Sequence, residues 1–150
     1  MTDRTTASIS VAAPRADVMA VIADFAAYPE WAAGVRSAQV IGDGQGGRAA
    51  LVRFRLDAGM IKDSYVLSYE WDGDDGVRWD LAEPGSVITA LSGGYLLTEA
   101  GAGTEVTYDL AVDVRIPMPG MLKRRAEKTI IDTALKGLRD RAEAGRGDGT

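Results

Sequence analysis

A long stretch of alternating apolar and polar residues, from Val35 to Val114, constrains the fold of this chain more than any other feature. Within it, every second residue of several segments is apolar, as in a β-strand whose two faces meet different environments. Glycine-rich segments interrupt the alternation and are typical of hairpin turns. The apolar positions are Val52, Phe54, Leu56, Tyr65, Leu67, Tyr69, Trp71, Val77, Trp79, Leu81, Val106, Tyr108, Leu110, Val112 and Val114. The pattern predicts about six antiparallel strands with one dry and one solvated face.

The residues before this stretch predict one more strand and two short helices. Thr5–Val11 alternates and is expected to pair as the first strand. Pro14 suits the first turn of a helix that is expected to end near Ala27, because the proline ring fixes a helical φ. Pro29 disfavours the helical region for the residue before it, so a separate short helix is expected at Tyr28–Trp31.

A long amphipathic helix is predicted after the sheet, from Met121 to about Ala144, because apolar residues recur there at helical spacing. It is the only predicted element long enough to cover the dry face of the sheet. Residues 145–150 are expected to form a disordered tail. Residues 1–144 are therefore expected to be one α+β domain in which a curved antiparallel sheet of about seven strands surrounds the helix and leaves a cavity between them.

The composition removes several classes of chemistry. The chain has no histidine and no cysteine, which excludes Ser-His-Asp and Cys-His nucleophiles, thiolate redox centres and the usual zinc and haem ligands. We therefore expect no metal and no cofactor. The net charge of -5 argues against nucleic acid as a partner, and no apolar run is long enough for stable membrane insertion. Without cysteines to indicate an oxidising compartment, a cytoplasmic location is expected.

Two segments carry a resemblance to a known family. Val18 to Trp31 reads V-x-x-x-I-A-D-F-x-x-Y-P-x-W, and Gly101 to Val106 reads G-x-G-T-x-V. Together with the order of elements, they resemble the START/Bet v 1-like superfamily, and more narrowly the polyketide cyclase/dehydrase group, which includes coenzyme Q-binding and ribosome-association-toxin-like proteins. The resemblance implies a helix-grip fold with a hydrophobic cavity over about residues 5 to 143. It does not imply one reaction.

The segment Gly42–Gly47 matches the dinucleotide-binding pattern G-x-G-x-x-G. Such a loop must open a helix whose N-terminal amides face the pyrophosphate. The residues that follow, Arg48 to Asp57, instead predict a strand, so we interpret the glycines as a hairpin loop.

The candidate ligand-binding residues are aromatic side chains and two residues of the final helix. Aromatic rings supply a large apolar surface, and tyrosine and tryptophan add a polar group that can orient a carbonyl or hydroxyl. Plain core packing is the alternative for each ring. The candidates for the cavity lining are Phe25, Tyr28, Trp31, Phe54, Tyr65, Tyr69, Trp79, Tyr95, Met121 and Arg125. On the final helix, Leu122, Ala126 and Ile130 are expected to point inward, with Arg125 at the edge of that stripe.

These residues favour a protein that binds a small lipophilic molecule, such as a polyketide, isoprenoid or lipid, for transport, sequestration or presentation. The first alternative is a polyketide cyclase, aromatase or dehydratase in which tyrosines or Arg125 polarise carbonyl groups. The second is an interaction protein that uses the basic residues Lys123, Arg124 and Lys128. Asp24, Glu30 and Asp63 flank apolar runs as acid–base candidates, but their spacing predicts no catalytic pair, and the sequence leaves the oligomeric state, monomer or homodimer, open.

Overall fold

The computed structural model describes residues 4–32, 34–44, 47–58, 61–115 and 119–148. Within these residues, seven strands and three α-helices follow one another, with a 3₁₀ turn at Phe25–Ala27 between the first two helices. The strands are β1 (Thr5–Val11), β2 (Val35–Asp43), β3 (Ala49–Ala58), β4 (Ile61–Asp72), β5 (Gly76–Glu83), β6 (Ile88–Ala100) and β7 (Gly103–Val114). The helices are α1 (Arg15–Ala23), α2 (Tyr28–Trp31) and α3 (Gly120–Asp148).

The strands form one antiparallel sheet in the order β1-β7-β6-β5-β4-β3-β2. Each strand from β2 to β6 pairs with the next one along the chain, whereas β1 lies at the far edge beside β7. The short helices carry the chain from β1 to the opposite edge, where β2 begins. This arrangement confirms the predicted helix-grip fold: a curved sheet, two short helices after the first strand, and a long C-terminal helix.

The hairpin between β6 and β7 explains the G-x-G-T segment. Gly101 has a φ of +64°, a conformation that other residues adopt only with strain. A Cβ on Gly103 would lie 2.4 Å from the backbone oxygen of Val11, so only glycine lets β7 approach β1 there. The buried Thr104 hydroxyl donates a hydrogen bond to the Ala13 carbonyl at 2.7 Å. These contacts join the β6–β7 turn to the start of α1.

Helix α3 packs mainly on β1, β7 and α1. Its buried apolar side chains form a stripe from the middle of the helix towards its C-terminal end, namely Ile131, Leu135, Leu138 and Ala142. Gly137 allows α3 to approach α2 closely, because a Cβ there would lie 2.4 Å from the backbone oxygen of Trp31. The N-terminal half of α3 makes no comparable packing on β3, β4 or β5 among the described residues, and a gap remains over the middle of the sheet.

The predicted end of α3 near Ala144 is wrong. The helix continues to Asp148, so residues 145–148, assigned to a disordered tail, are helical, and residues 149–150 lie outside the described part of the chain. Each residue added to an existing helix gains a backbone hydrogen bond without needing an apolar contact. Hydrophobic periodicity therefore underestimates the length of such a helix.

Candidate functional site

A cavity of about 330 Å³ lies in the gap between the concave face of the sheet and the N-terminal half of α3. Its walls come from β2 to β7, from α3 between Lys123 and Ala134, and from α2. Most of the lining is apolar. The volume of the cavity is at the lower end of the range for small-molecule sites. The aromatic lining residues are Tyr28, Trp31, Phe54, Tyr65, Tyr69, Trp79, Tyr95 and Tyr108.

The register of the strands brings these rings together. Phe54 pairs with Tyr65, Tyr69 with Trp79, and Tyr95 with Tyr108. Side chains directly opposite each other on neighbouring antiparallel strands point to the same face. The ring centroids are accordingly 5.8, 5.7 and 4.7 Å apart in the three pairs. Three cross-strand aromatic pairs thus form the floor of the cavity.

All five tyrosines of the chain line this cavity. The Tyr28 hydroxyl donates a hydrogen bond to the Ile22 carbonyl, while no partner within the described residues is found for the hydroxyls of the other four. Burial raises the pKa of every one of them, and in most cases nearby tyrosines raise it further. The hydroxyls therefore keep their protons and can donate hydrogen bonds to a ligand oxygen, but they are poor general bases.

The indole N–H groups of two tryptophans differ in an informative way. Trp71 Nε1 donates to the Ala49 carbonyl at 2.7 Å and Trp71 does not line the cavity. Trp31 does line it, and its buried Nε1 has no hydrogen-bond partner among the described residues. Because buried polar groups are nearly always hydrogen-bonded, an unpartnered donor in a cavity wall is a candidate contact for a ligand acceptor.

Two charged residues contribute to the lining, and both are engaged in ion pairs. Asp57 lies 3.1 Å from Arg36 Nη2. Lys123 Nζ lies 2.5 Å from Asp113 Oδ1. Since each charge already has a counterion, neither favours a ligand of one particular charge.

Seven of the ten candidate lining residues border the cavity: Tyr28, Trp31, Phe54, Tyr65, Tyr69, Trp79 and Tyr95. Phe25 does not. It is 2% exposed and packs in the core against Tyr28 and Tyr69, with ring centroids 4.9 and 5.0 Å away. Phe25 lies shortly before α2. The sequence alone does not distinguish its core position from that of Tyr28, three residues later, which lines the cavity.

The predictions for Met121 and Arg125 as lining residues are also wrong. Met121 is 68% exposed, and Arg125 is exposed and outside the cavity wall. Between them, Lys123 lines the cavity, and it is two positions from each of them. Because an α-helix turns about 100° per residue, two positions place a side chain on the opposite side. Ala126 and Ile130 do line the cavity as expected, whereas Leu122 is 48% exposed.

Sequence reasoning missed Tyr108 and Lys123 as lining residues. For Tyr108 the signal was present, since it occupies an apolar-face position of β7 opposite Tyr95. For Lys123, the spacing to Ala126 and Ile130 was available, but its charge favoured a solvated position. Only the ion pair with Asp113 shows how it is accommodated beside an apolar wall.

None of the three acid–base candidates reaches the cavity. Glu30 pairs with Arg141 at 2.8 Å, and Asp24 lies between α1 and the 3₁₀ turn. Asp63 accepts hydrogen bonds from the backbone N–H groups of Ser64, Ser86, Val87 and Ile88. Burial alone would raise the pKa of Asp63, but these four donors hold it below its ordinary value. Asp63 is thus a structural acceptor that fixes the loop between β5 and β6.

The remaining expectations concern nucleotides, metals and membranes. Gly42 and Asp43 belong to β2, and β3 begins at Ala49, so the glycine-rich segment joins two strands and opens no phosphate-binding helix; residues 45–46 lie outside the described part. In the residues described, no group of His, Cys, Asp or Glu has the arrangement of a metal site. No helix among them is long and apolar enough to cross a bilayer.

Comparison with known proteins places this geometry in context. Structural similarity is strong to a START superfamily protein from Mycobacterium smegmatis, with a TM-score of 0.86, 20% identity, and coverage of 94% of this chain and 97% of that one. The Zhui aromatase/cyclase from Streptomyces sp. R1128 gives a TM-score of 0.79 and 16% identity over 95% of this chain and 94% of its own. A protein from Thermus thermophilus gives a TM-score of 0.79 and 24% identity over 95% of this chain and 99% of its own.

At these identities the similarities show the fold alone. No curated protein matches the sequence of the chain. The family model for polyketide cyclase/dehydrase and lipid transport proteins matches residues 2–143. With nearly the whole chain covered by that model and the helix-grip fold established, the protein belongs to the polyketide cyclase/dehydrase and lipid transport family.

Proposed function

We propose that this protein binds a small, uncharged lipophilic molecule in the cavity between the sheet and α3. The observation that carries the proposal is the lining: eight aromatic rings surround about 330 Å³ of space, and the two charged lining residues are neutralised by partners. A desolvated apolar wall of this kind favours an apolar ligand, because burial of apolar surface is worth roughly 25 cal/mol per Å². Polyketides, isoprenoids and lipids share that property.

The cavity can be tested by filling it. Ala126 lines it from α3, so Ala126→Phe is expected to reduce the affinity for the uncharged fluorescent probe N-phenyl-1-naphthylamine by about ten-fold or more, equivalent to ~1.4 kcal/mol. The measurement is fluorescence titration, with thermal melts to establish that the variant is folded.

The matched control is Ala20→Phe, which adds the same ring to an exposed position of α1. It is expected to bind the probe as the unmodified protein does. Equal affinity of the Ala126→Phe variant and the unmodified protein, or no binding by the unmodified protein, would contradict binding in this cavity.

A second candidate function, polyketide cyclisation, is favoured by the tyrosine hydroxyls. Four of them reach the cavity without a protein partner in the described residues, and their raised pKa values keep them protonated. They can therefore polarise ketone oxygens of a chain that the cavity holds folded, and such positioning contributes ~7–11 kcal/mol at most. The outward position of Arg125 removes the cationic group that this function was expected to use.

Replacing Tyr95 by phenylalanine distinguishes the two candidates. In a cyclase, loss of the hydroxyl is expected to slow conversion of a poly-β-keto thioester by about ten-fold or more, as followed by product chromatography. In a binding protein the same variant leaves product yields at the level of the uncatalysed reaction, as does the unmodified protein. Tyr28→Phe serves as the control, since that hydroxyl is already bonded to Ile22.

The surface-interaction alternative is less well supported. Of the basic residues invoked for it, Lys123 pairs with Asp113 and Lys128 pairs with Asp132 at 3.1 Å. These intramolecular partners neutralise part of the positive charge that an acidic partner would need.

A further inference from the structure

The sheet is split between the ends of β5 and β6. Their pairing runs from Gly76 opposite Leu96 to Asp80 opposite Ser92 and stops there. Both strands continue past that point, β5 to Glu83 and β6 back to Ile88. Each remains paired on its other side, β5 with β4 and β6 with β7. The unpaired segments 81–83 and 88–91 therefore border a slot through the sheet.

A groove of about 410 Å³ lies over this slot on the outside of the sheet. Its walls include Leu81 from β5, and Thr89 and Leu91 from β6. Leu81 follows Trp79 by two residues and Leu91 precedes Tyr95 by four, so both leucines belong to the inner face by strand periodicity. Leu91 borders the inner cavity as well as the outer groove. Leu91 is thus shared by the two spaces, and the side chains of Leu81 and Leu91 lie between them.

The margins of the slot are fixed by polar contacts. Asp63 accepts hydrogen bonds from the N–H groups of Ser86, Val87 and Ile88. Arg115 donates from its backbone N–H to the Val87 carbonyl and from Nε to the Ser86 carbonyl. Because these contacts hold the loop between β5 and β6 on two sides, the leucine side chains are the parts of the slot that can move without breaking hydrogen bonds.

We propose that the slot between β5 and β6 is a passage by which the lipophilic ligand enters and leaves the cavity, with Leu81 and Leu91 as its gate. The inference rests on the proposed binding function. Two partly buried leucines packed against the core offer an apolar surface to a ligand that slides past them. Their side chains change rotamer in picoseconds to nanoseconds when not fully enclosed, so a ligand can displace them without movement of the backbone.

A gate changes the rates of ligand association and dissociation but not the contacts of the bound ligand. Leu81 borders the groove but not the cavity, so Leu81→Trp is expected to slow both association and dissociation of N-phenyl-1-naphthylamine by about ten-fold while the Kd changes little. Leu81→Ala is expected to accelerate both rates. Stopped-flow fluorescence measures the two rates separately, and the alanine variant tests the passage even if the tryptophan variant does not fold.

Two matched variants identify the route. Leu56 borders the cavity but not the groove, so Leu56→Ala is expected to change Kd without accelerating both rates in parallel. Ile130 borders the cavity on α3 and is 36% exposed, so Ile130→Trp obstructs an entrance beside α3. Because it also changes the cavity wall, it is expected to change Kd but not to slow association and dissociation in parallel.

The results separate the passage from the binding function. The passage is overturned if the rates are insensitive to both Leu81 variants, or if Ile130→Trp slows association and dissociation in parallel. Binding in the cavity then stands, provided that Ala126→Phe still weakens it. Absence of probe binding by the unmodified protein overturns both.

Discussion

Replacing Phe25 with alanine is expected to lower the free energy of unfolding by about 3–5 kcal/mol. Phe25 is 2% exposed, and its ring contacts Tyr28, Phe54, Tyr69 and Trp71 with centroids 4.9 to 6.2 Å away. Truncation removes these contacts and leaves a cavity that the surrounding strands cannot close. The loss is large because one ring joins the short helices to three strand positions.

The measurement is equilibrium unfolding in urea. Leu96→Ala is the control, since Leu96 is 57% exposed on β6 and its truncation is expected to change stability by about 0.5 kcal/mol or less. An effect of Phe25→Ala as small as that of the control would contradict the assignment of Phe25 to the core.

Replacing Glu127 with alanine is expected to destabilise the protein by about 3 kcal/mol or more. Glu127 is 1% exposed. Its carboxyl group accepts hydrogen bonds from the Thr5 hydroxyl at 2.7 Å and from the Val112 backbone N–H at 2.9 Å. The pairing of β1 with β7 ends at Thr5 opposite Leu110, so Glu127 satisfies a strand N–H just beyond it. Alanine leaves both donors without their acceptor.

Glu127→Gln is expected to have a much smaller effect. The amide oxygen can accept from Val112, and the amide nitrogen can donate to the Thr5 hydroxyl, which accepts as readily as it donates. Urea unfolding of the alanine and glutamine variants side by side tests this, with Thr5→Val as a probe of the hydroxyl contact alone. Equal losses for alanine and glutamine would mean that the carboxyl group contributes through its charge and not through these hydrogen bonds.

The sheet was predictable because each strand carries its own alternation of apolar and polar residues. Alternation along β4, β5 and β7 marks which side chains face inward, and cross-strand register then follows from short hairpins. The same logic extended to Tyr108, whose place opposite Tyr95 could have been read from the sequence.

The face of α3 that meets the cavity was harder to predict. Apolar residues near Met121 are spread around the helix, so their spacing does not define one inward direction. Lys123 and Glu127 lie inward despite their charge because Asp113 and the Thr5–Val112 pair accommodate them. These partners belong to the edge strand β1 and to its neighbour β7, and no local pattern within the helix encodes them.

The two ends of helix α3 have different surroundings. The buried apolar stripe Ile131, Leu135, Leu138 and Ala142 runs from its middle towards its C-terminal end, while Lys123, Ala126 and Ile130 nearer its N-terminus border the cavity. Substitutions at Ala126 and Ile130 therefore alter the shape offered to a ligand with little effect on the contacts that hold the helix to β1 and α1. Related proteins with this fold can therefore change ligand specificity by substitutions at a few positions in two helical turns. They do not first need additional stability.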